Sequence, residues 1–196
     1  MALVLPMGSG DSTARMNVTP PEAPAPASGA TRGPWVWIAT FFGAGLAPVA
    51  PGTVGSVASF VIWAPVVLLG VPWWARLGLV AVIFLLGIPA CARASSAFST
   101  DDPKQAVIDE VAGQGLTLLF AAAHPVNLVA GFALFRLFDV VKPWPIRWVD
   151  RNVHGGLGVM LDDLVAGAFA LALLLLLERY GWPALGLFPF APTEAT

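Results

Sequence analysis

Residues 111–135 read VAGQGLTLLFAAAHPVNLVAGFALF, and this stretch decides how the chain is arranged. It is uncharged and long enough for one membrane crossing, which takes about 20 helical residues. Its middle, however, reads His124-Pro125-Val126-Asn127, a pattern typical of a turn. Each half then spans about 12–18 Å of helix, which is too short for a hydrocarbon core of about 30 Å. We therefore predict a re-entrant helical hairpin over residues 111–137, with a kinked full span as the alternative.

The composition of the whole chain indicates a membrane protein. It has 196 residues, of which 57% are hydrophobic and only 11% are charged, and its mean hydropathy is +0.77. Soluble domains carry about 25% charged residues, so this chain has too few charges to cover a surface that faces water. The net charge of −2 gives no indication of nucleic-acid binding. Cys91 is the single cysteine, which excludes an intramolecular disulfide and a cysteine metal site.

The apolar runs divide the chain into three parts. Residues 1–33, rich in Pro, Ala, Ser and Gly, are predicted to be a disordered tail. Residues 34–180 are predicted to be a membrane-embedded domain, and residues 181–196 an interfacial tail with aromatic side chains. The predicted fold is an all-α, polytopic membrane bundle with a half-helix over residues 35–46 and the hairpin. About three full crossings are expected, near residues 56–71, 77–92 and 164–177.

Basic residues are distributed unevenly if the hairpin returns to the side it entered from. Eight then lie on one side: Arg15, Arg32, Arg93, Lys104, Arg136, Lys142, Arg147 and Arg151. Only Arg76 and Arg179 lie on the other side. Because cytoplasmic loops carry an excess of Lys and Arg, we predict that the basic side faces the cytoplasm.

A glycine-rich motif, GAGLAPVAPGTVGS, occupies residues 43–56 on the cytoplasmic side. Glycine lets a backbone approach a ligand closely, and free N–H groups at a helix start attract phosphate. Thr53, Gly55 and Ser56 are therefore candidate phosphate-binding residues. The motif lacks the Gly-Lys-Ser/Thr ending of a Walker loop. The alternative is a plain loop in which Ser56 is the N-cap of the next helix.

Carboxylates stand at the predicted cytoplasmic ends of the apolar helices. They are Asp109, Glu110, Asp139, Asp162 and Asp163. Adjacent carboxylates repel unless a cation lies between them, and Mg²⁺ prefers oxygen ligands. The alternative is a helix start at which acids interact favourably with the dipole; Asp101 and Asp102, before a proline, fit a turn.

Basic and glycine-rich residues accompany these acids. Arg136 and Asp139 share a helix face at i,i+3 spacing, which indicates either a salt bridge or a phosphate clamp together with Lys142. Arg151, Gly155 and Gly156 are further candidates for binding phosphate, in a loop that closes over a ligand. His154 in the same loop is a candidate proton carrier; the alternative is a solvated histidine. Together these residues predict an acidic, metal-binding cup beside phosphate clamps, within reach of a lipid headgroup.

Four blocks of this sequence resemble the phosphatidylglycerophosphatase A family. They are residues 43–56, residues 107–113 (VIDEVAG), residues 135–146 (FRLFDVVKPWPI) and residues 150–167 (DRNVHGGLGVMLDDLVAG). The resemblance implies Mg²⁺-dependent hydrolysis of phosphatidylglycerophosphate to phosphatidylglycerol and phosphate, in the bacterial inner membrane and in phospholipid biosynthesis. By position it implies an acidic set and a basic set. The acidic set is Asp109, Glu110, Asp139, Asp162 and Asp163; the basic set is Arg136 and Lys142.

Several alternatives remain open at this point. The attacking group is either a metal-bound water or a carboxylate that forms an aspartyl-phosphate. Competing functions are a histidine-nucleophile lipid phosphatase, a phosphatidyl-alcohol transferase, and a small membrane transporter or assembly subunit with an acidic cation site. The expected partners are a phospholipid substrate and the bilayer, without nucleic acid; nothing in the sequence indicates an oligomeric state.

Overall fold

The structure, a computed structural model, describes residues 33–186, and these are helical without strands. The helices are α1 (Pro34–Ala39), α2 (Pro51–Ala58), α3 (Phe60–Leu68), α4 (Trp73–Phe98), α5 (Ile108–Thr117), α6 (Pro125–Val141), α7 (Ile146–Asn152), α8 (Gly155–Leu176) and α9 (Trp182–Ala184). A 3-10 turn, Ala44–Leu46, precedes α2, and a π-helical turn, Leu177–Gly181, joins α8 to α9. The predicted all-α class is confirmed. Most of the predicted N-terminal tail, and the predicted C-terminal tail from residue 187 onward, lie outside the described residues.

Three helical runs are long and apolar enough to cross a membrane: Pro51–Leu68, Trp73–Phe98 and Gly155–Ala184. Each begins earlier than the sequence predicted, and each is longer, the second and third by ten residues or more. The predicted limits at Arg76 and Asp163 were wrong because both residues lie inside helices, with 6% and 3% of their surface exposed. A charged side chain inside a membrane bundle faces the bundle interior and finds partners there, so it does not have to end a helix. The third run also continues past residue 180.

The half-helix predicted over residues 35–46 is shorter than expected. α1 ends at Ala39 because the next residues turn into the left-handed region, with φ of 45° at Phe41, 56° at Phe42 and 96° at Gly43. The Gly43 N–H donates to Thr40 Oγ1 at 3.2 Å, which stabilises the turn. The helical segment at this end is therefore a single short helix followed by the 3-10 turn.

Both glycine-rich loops predicted from the sequence are partly helical. α2 begins at Pro51 with Ala50 as its N-cap, so Ser56 lies inside the helix and is not a cap. Gly155 and Gly156 form the first turn of α8. Glycine weakens a helix by about 1 kcal/mol relative to alanine. At Gly156, however, the neighbouring helix packs so closely that only a residue without a side chain fits. A Cβ on Gly156 would collide with the Ile88 carbonyl of α4.

The chain turns back between α5 and α6, as the His124-Pro125 pattern predicted. Glu110 and Arg136 meet at one end of the pair at 3.1 Å, and Gly131 packs against Leu118 near the other, so the two helices run antiparallel. His124 caps α6, accepting the Val126 N–H on Nδ1 at 3.2 Å. α5 has 10 residues and α6 has 17, so α6 exceeds the predicted half-length because the helix continues through Arg136. The depth of this hairpin in the membrane stays a prediction.

Arg76 closes the C-terminal end of α5 inside the bundle. Its Nη1 donates to the carbonyl oxygens of Leu118 at 3.0 Å and Ala121 at 2.9 Å. Glu178, near enough to interact electrostatically with Arg76, accepts the Ala122 N–H at 2.9 Å. Backbone groups in apolar surroundings need internal partners, and the last carbonyls of a helix have none of their own. Arg76 and Glu178 supply those partners, so α5 can end there.

Glycines and one tryptophan enclose α5 on its sides. A Cβ on Gly167 of α8 would collide with the Gly113 carbonyl, and one on Gly115 would collide with the indole of Trp63. Trp63 also donates through Nε1 to the Val111 carbonyl at 2.9 Å. Because the neighbouring helices approach this closely, nearly every residue of α5 is buried.

We predict that Arg76→Gln destabilises the protein by about 3 kcal/mol, since removing one member of a buried charge network leaves the rest without partners. The melting temperature in detergent, followed by circular dichroism, measures the effect. Arg93→Gln, at an exposed arginine of the same helix, is the control. It loses only the contact of its guanidinium with the Trp35 ring, 5.9 Å from the ring centroid, and its stability is expected to stay within about 1 kcal/mol of the parent. An unchanged melting temperature in Arg76→Gln would show that the cap is dispensable.

Candidate active site

A cavity of about 220 Å³ opens where α2, α5, α6 and α8 meet the segment that precedes α5. Acidic and basic side chains dominate its wall: Asp102, Lys104, Asp109, Glu110, Asp139, Lys142, Asp162 and Asp163. The five acidic residues singled out by the sequence therefore converge on one cavity, although they come from three helices.

Arg136 does not line this cavity, but it binds several side chains on one side of it. Its Nη1 donates to Asp139 Oδ2 at 2.6 Å, Glu110 Oε1 at 3.1 Å and Ser56 Oγ at 3.4 Å. Its Nη2 reaches Thr53 Oγ1 at 3.5 Å. The salt bridge between Arg136 and Asp139, one of the two interpretations of their spacing, is present, and the same guanidinium ties α6 to α2 and α5.

Lys142 organises the opposite side. It is the C-cap of α6, in the left-handed region with φ of 44°, and its Nζ contacts Asp162 Oδ2 at 2.5 Å and Asp150 Oδ1 at 2.6 Å. Burial by itself lowers the pKa of Lys142. The hydrogen bonds with Asp150 and Asp162 have the larger combined effect and raise this pKa above its usual value. Lys142 therefore stays charged near neutral pH and joins α6, α7 and α8.

The carboxylates of α5 hold protons more strongly than exposed ones would. Burial raises the pKa of Glu110 to about 8, although Arg136 opposes the shift. Burial, followed by the charges of Glu110 and Asp162, raises the pKa of Asp109 well above its usual value. Without a bound cation, these two acids therefore keep their protons to a higher pH than exposed carboxylates do.

Two carboxylate oxygens in the wall are buried and have no hydrogen-bond partner: Asp162 Oδ1 and Asp163 Oδ2. An unpaired buried polar atom costs about 1–3 kcal/mol, so a bound group that supplies a partner would stabilise the fold. A hard divalent cation such as Mg²⁺ takes such oxygen ligands, and the chemistry of these donors fits it.

The carboxylates are not already gathered around one point. Within residues 33–186, no group of three or more His, Cys, Asp or Glu side chains stands close enough to hold a metal ion. Glu110 and Asp139 are bound to Arg136, and Asp162 is bound to Lys142. A cation would therefore have to draw carboxylates away from these two basic side chains.

The predicted phosphate-binding residues of α2 surround Arg136 and do not face the cavity. Thr53 and Ser56 contact its guanidinium, and Ser56 Oγ donates to Glu110 Oε2 at 3.2 Å. Gly55 packs against Val107 and Glu110, where a Cβ would collide. Their position supports the basic and acidic side chains, and direct contact with phosphate stays a prediction.

The residues predicted around His154 lie beside the cavity. His154 is exposed and, with Gly155, lines a second cavity of about 60 Å³, which shares Asp102, Val159 and Asp162 with the first. Gly156 packs on α4. Arg151 is exposed and lines neither cavity. A catalytic role for His154 stays a prediction.

Three charged residues at the site were missed by the sequence reasoning. Asp102 and Lys104 line the cavity, and Asp150 holds Lys142. The first two lie in the segment that was interpreted as a turn. The density of charge there, in a chain with so few charges, was the signal that could have identified them.

We predict that the cation-free protein loses stability as the pH rises. The pKa of Glu110 is near 8 in the fold, against 4.5 without its surroundings, so the folded state keeps a proton that the unfolded state releases. The stabilisation is complete below the lower value and is lost as the pH passes through the higher one. In EDTA, the melting temperature should therefore be lower at about pH 8.5 than at about pH 6.

Glu110→Gln, which cannot titrate, should reduce this pH dependence, whereas Asp101→Asn at an exposed position outside the main cavity should keep it. A Glu110→Gln variant with the parent's full pH dependence would contradict the assignment.

Comparison with known proteins gives one consistent result. Residues 37–178 match the family described as Phosphatidylglycerophosphatase A. A relative of that name from Escherichia coli (strain K12) is 40% identical over 154 residues, covering 76% of this chain and 86% of the relative. One from Haemophilus influenzae is 35% identical, covering 73% and 88%. A relative from Bacteroides thetaiotaomicron, provisionally named a phosphatidylinositol-3-phosphatase, is 38% identical, covering 71% and 90%. No solved structure matches significantly.

Proposed function

The chain belongs to the phosphatidylglycerophosphatase A family, and from that membership we propose that it hydrolyses the phosphate monoester of phosphatidylglycerophosphate, releasing phosphatidylglycerol and inorganic phosphate. The observation that carries the proposal is the cavity in which five buried or half-buried acids meet Lys142, while Arg136 beside it binds two of the acids. This cavity lies inside the segment that the family shares.

A phosphatase explains the cavity better than the transporter or assembly subunit does. A cation path requires ionisable groups distributed along the spans, whereas these five acids share one cavity and lie beside two basic side chains that suit phosphate. Two of the relatives described above are named phosphatidylglycerophosphatase A and the third is provisionally named a lipid phosphatase. The chain is a bacterial membrane protein, and we further propose that it lies in the inner membrane with the cavity facing the cytoplasm, as the excess of basic residues on that side favours.

Mg²⁺ is the cofactor that we propose. Asp109, Asp162 and Asp163 would hold it, the last two through the oxygens that lack a hydrogen-bond partner, while Glu110 and Asp139 complete the acidic wall. When bound, the ion polarises the phosphoryl oxygens and lowers the pKa of a bound water.

Arg136 and Lys142 would bind the phosphate. Both side chains now contact carboxylates at 2.5–3.1 Å, and phosphoryl oxygens can replace those partners with similar geometry. Arg136 supplies a planar pair of donors and Lys142 a point charge. As negative charge develops in the transition state, these fixed cations stabilise it.

Asp139 is the residue that we assign as acceptor of the proton from the attacking water. Its side chain is 14% exposed, against 10% for Glu110 and Asp162, so water in the cavity reaches it more easily. Its contact with Arg136 at 2.6 Å is one that phosphate would replace, which would free the carboxylate to accept the proton. The alternative, an aspartyl-phosphate, involves two displacements at phosphorus. Substrates with an isotopically chiral thiophosphate separate the two routes, since one displacement inverts the configuration and two retain it.

The central test is phosphate release from phosphatidylglycerophosphate by the purified protein in detergent. We expect activity that requires Mg²⁺ and disappears in EDTA. Asp139→Asn and Asp163→Asn should each lower kcat by at least about 100-fold, since each removes a charge that the mechanism uses. Asp101→Asn, at an exposed residue outside the main cavity, is the matched control and should keep the parent rate. Mg²⁺ should also raise the melting temperature of the parent, and raise it less in Asp163→Asn.

Other results of this experiment would change the proposal in different ways. Full activity in EDTA would remove the metal from the mechanism and leave a phosphatase. Faster hydrolysis of phosphatidylinositol 3-phosphate than of phosphatidylglycerophosphate would assign the substrate named for the Bacteroides relative. Absence of activity on every lipid phosphate would overturn the proposal.

A further inference from the structure

The short helix α7 has two different faces. Ile146 is fully buried, and Asp150, one turn later, reaches Lys142 at 2.6 Å. The opposite side is open: Trp148 is 56% exposed, and Trp144, just before the helix, is 81% exposed. One side of α7 therefore belongs to the wall of the site, and the other faces outward.

The outward face of α7 continues an apolar surface of α6. Leu137, Val140 and Val141 are 52%, 69% and 54% exposed. In a membrane protein such a surface faces lipid, and tryptophans collect where the acyl region meets the headgroups. α7 therefore fits the membrane surface, between the bilayer and the cavity that Lys142 lines.

Two arginines on α7 offer donors beside this surface. Arg147 and Arg151 are exposed and, four positions apart, share one side of the helix. Arg147 donates through Nη2 to the Val141 carbonyl at 3.2 Å, which leaves its other N–H groups available. Within the described part of the chain, the Arg151 guanidinium has no hydrogen-bond or ion-pair partner. Asp150, the nearest acid in sequence, is already bound to Lys142.

We propose that Arg147 and Arg151 bind the phosphodiester of the lipid substrate while its phosphate monoester occupies the cavity. The inference rests on the proposed function, whose substrate carries two phosphate groups joined by one glycerol. Neither arginine lines the cavity and, in contrast to Arg136, neither binds a carboxylate of its wall, so we assign the phosphate that is cleaved to Arg136 and Lys142. A guanidinium at the headgroup level suits the second phosphate, which remains attached to the diacylglycerol in the bilayer. α7 thereby selects lipids that carry a phosphodiester next to the monoester.

Kinetics in mixed micelles of a neutral detergent, with substrate as the sole anionic lipid, test this assignment. The double variant Arg147→Gln/Arg151→Gln should raise KM, expressed as mole fraction of substrate, about tenfold, with kcat within about twofold of the parent. Inhibition by phosphatidylglycerol, which has the phosphodiester alone, should weaken in parallel. Inhibition by inorganic phosphate, which enters the cavity, should be unchanged. Arg93→Gln, an exposed arginine at the end of α4 outside the cavity wall, is the control and should match the parent.

Arg151→Gln alone guards against a folding defect, because Arg151 makes no hydrogen bond or ion pair within residues 33–186 that the substitution would remove. This variant should raise KM about threefold. An unchanged KM in the double variant would overturn the inference, and so would a fall in kcat at constant KM, which would place these arginines in the chemistry. A parent protein that hydrolyses no lipid phosphate would instead overturn the proposed function.

Discussion

A helix of 10 residues carries two acids of the site into the bundle, and the rest of the structure depends on how that helix is held. α5 is too short to cross a bilayer, so its last carbonyls end among apolar side chains. Arg76, from a different helix, donates to them. Because the carbonyls at its C-terminal end have this hydrogen-bond partner, α5 can begin at the opposite end of the bundle. There Asp109 and Glu110 meet the acids of α6 and α8. The position of the two acids and the need for the Arg76 cap therefore both follow from the short length of α5.

The electrostatics of the cavity follow from the same burial. Acids brought together without water hold their protons more strongly, as the pKa of Glu110, near 8, illustrates. Arg136 and Lys142 neutralise part of the charge and tie five helices together through it. The side chains that stabilise the empty cavity are therefore those that can bind phosphate. Substrate and cation would take over interactions that the protein already makes with itself.

α7 connects this polar interior to the bilayer. Its buried side reaches Lys142 through Asp150, and its open side presents exposed tryptophans and arginines, which we propose to lie at the level of the lipid headgroups. The substrate of a water-soluble phosphatase enters the active site from water alone. Here the reacting phosphate must leave the interface while the acyl chains stay in it, and a short amphipathic helix at the cavity edge fits that requirement.

The sequence by itself determined the membrane class, the three apolar runs, the turn at His124-Pro125 and the placement of Arg136 and Asp139 on one helix face. Each of these depends on composition or on neighbours within one helical turn. Only the tertiary structure decided that helices pass through Arg76 and Asp163, that Ser56 lies inside a helix, and that Asp150 holds Lys142. Whether a charge ends a helix depends on a partner that is distant in sequence: 42 positions for Arg76 and Leu118, and 80 for Arg136 and Ser56. A local sequence pattern contains no information about such partners, because they come together only when the helices pack.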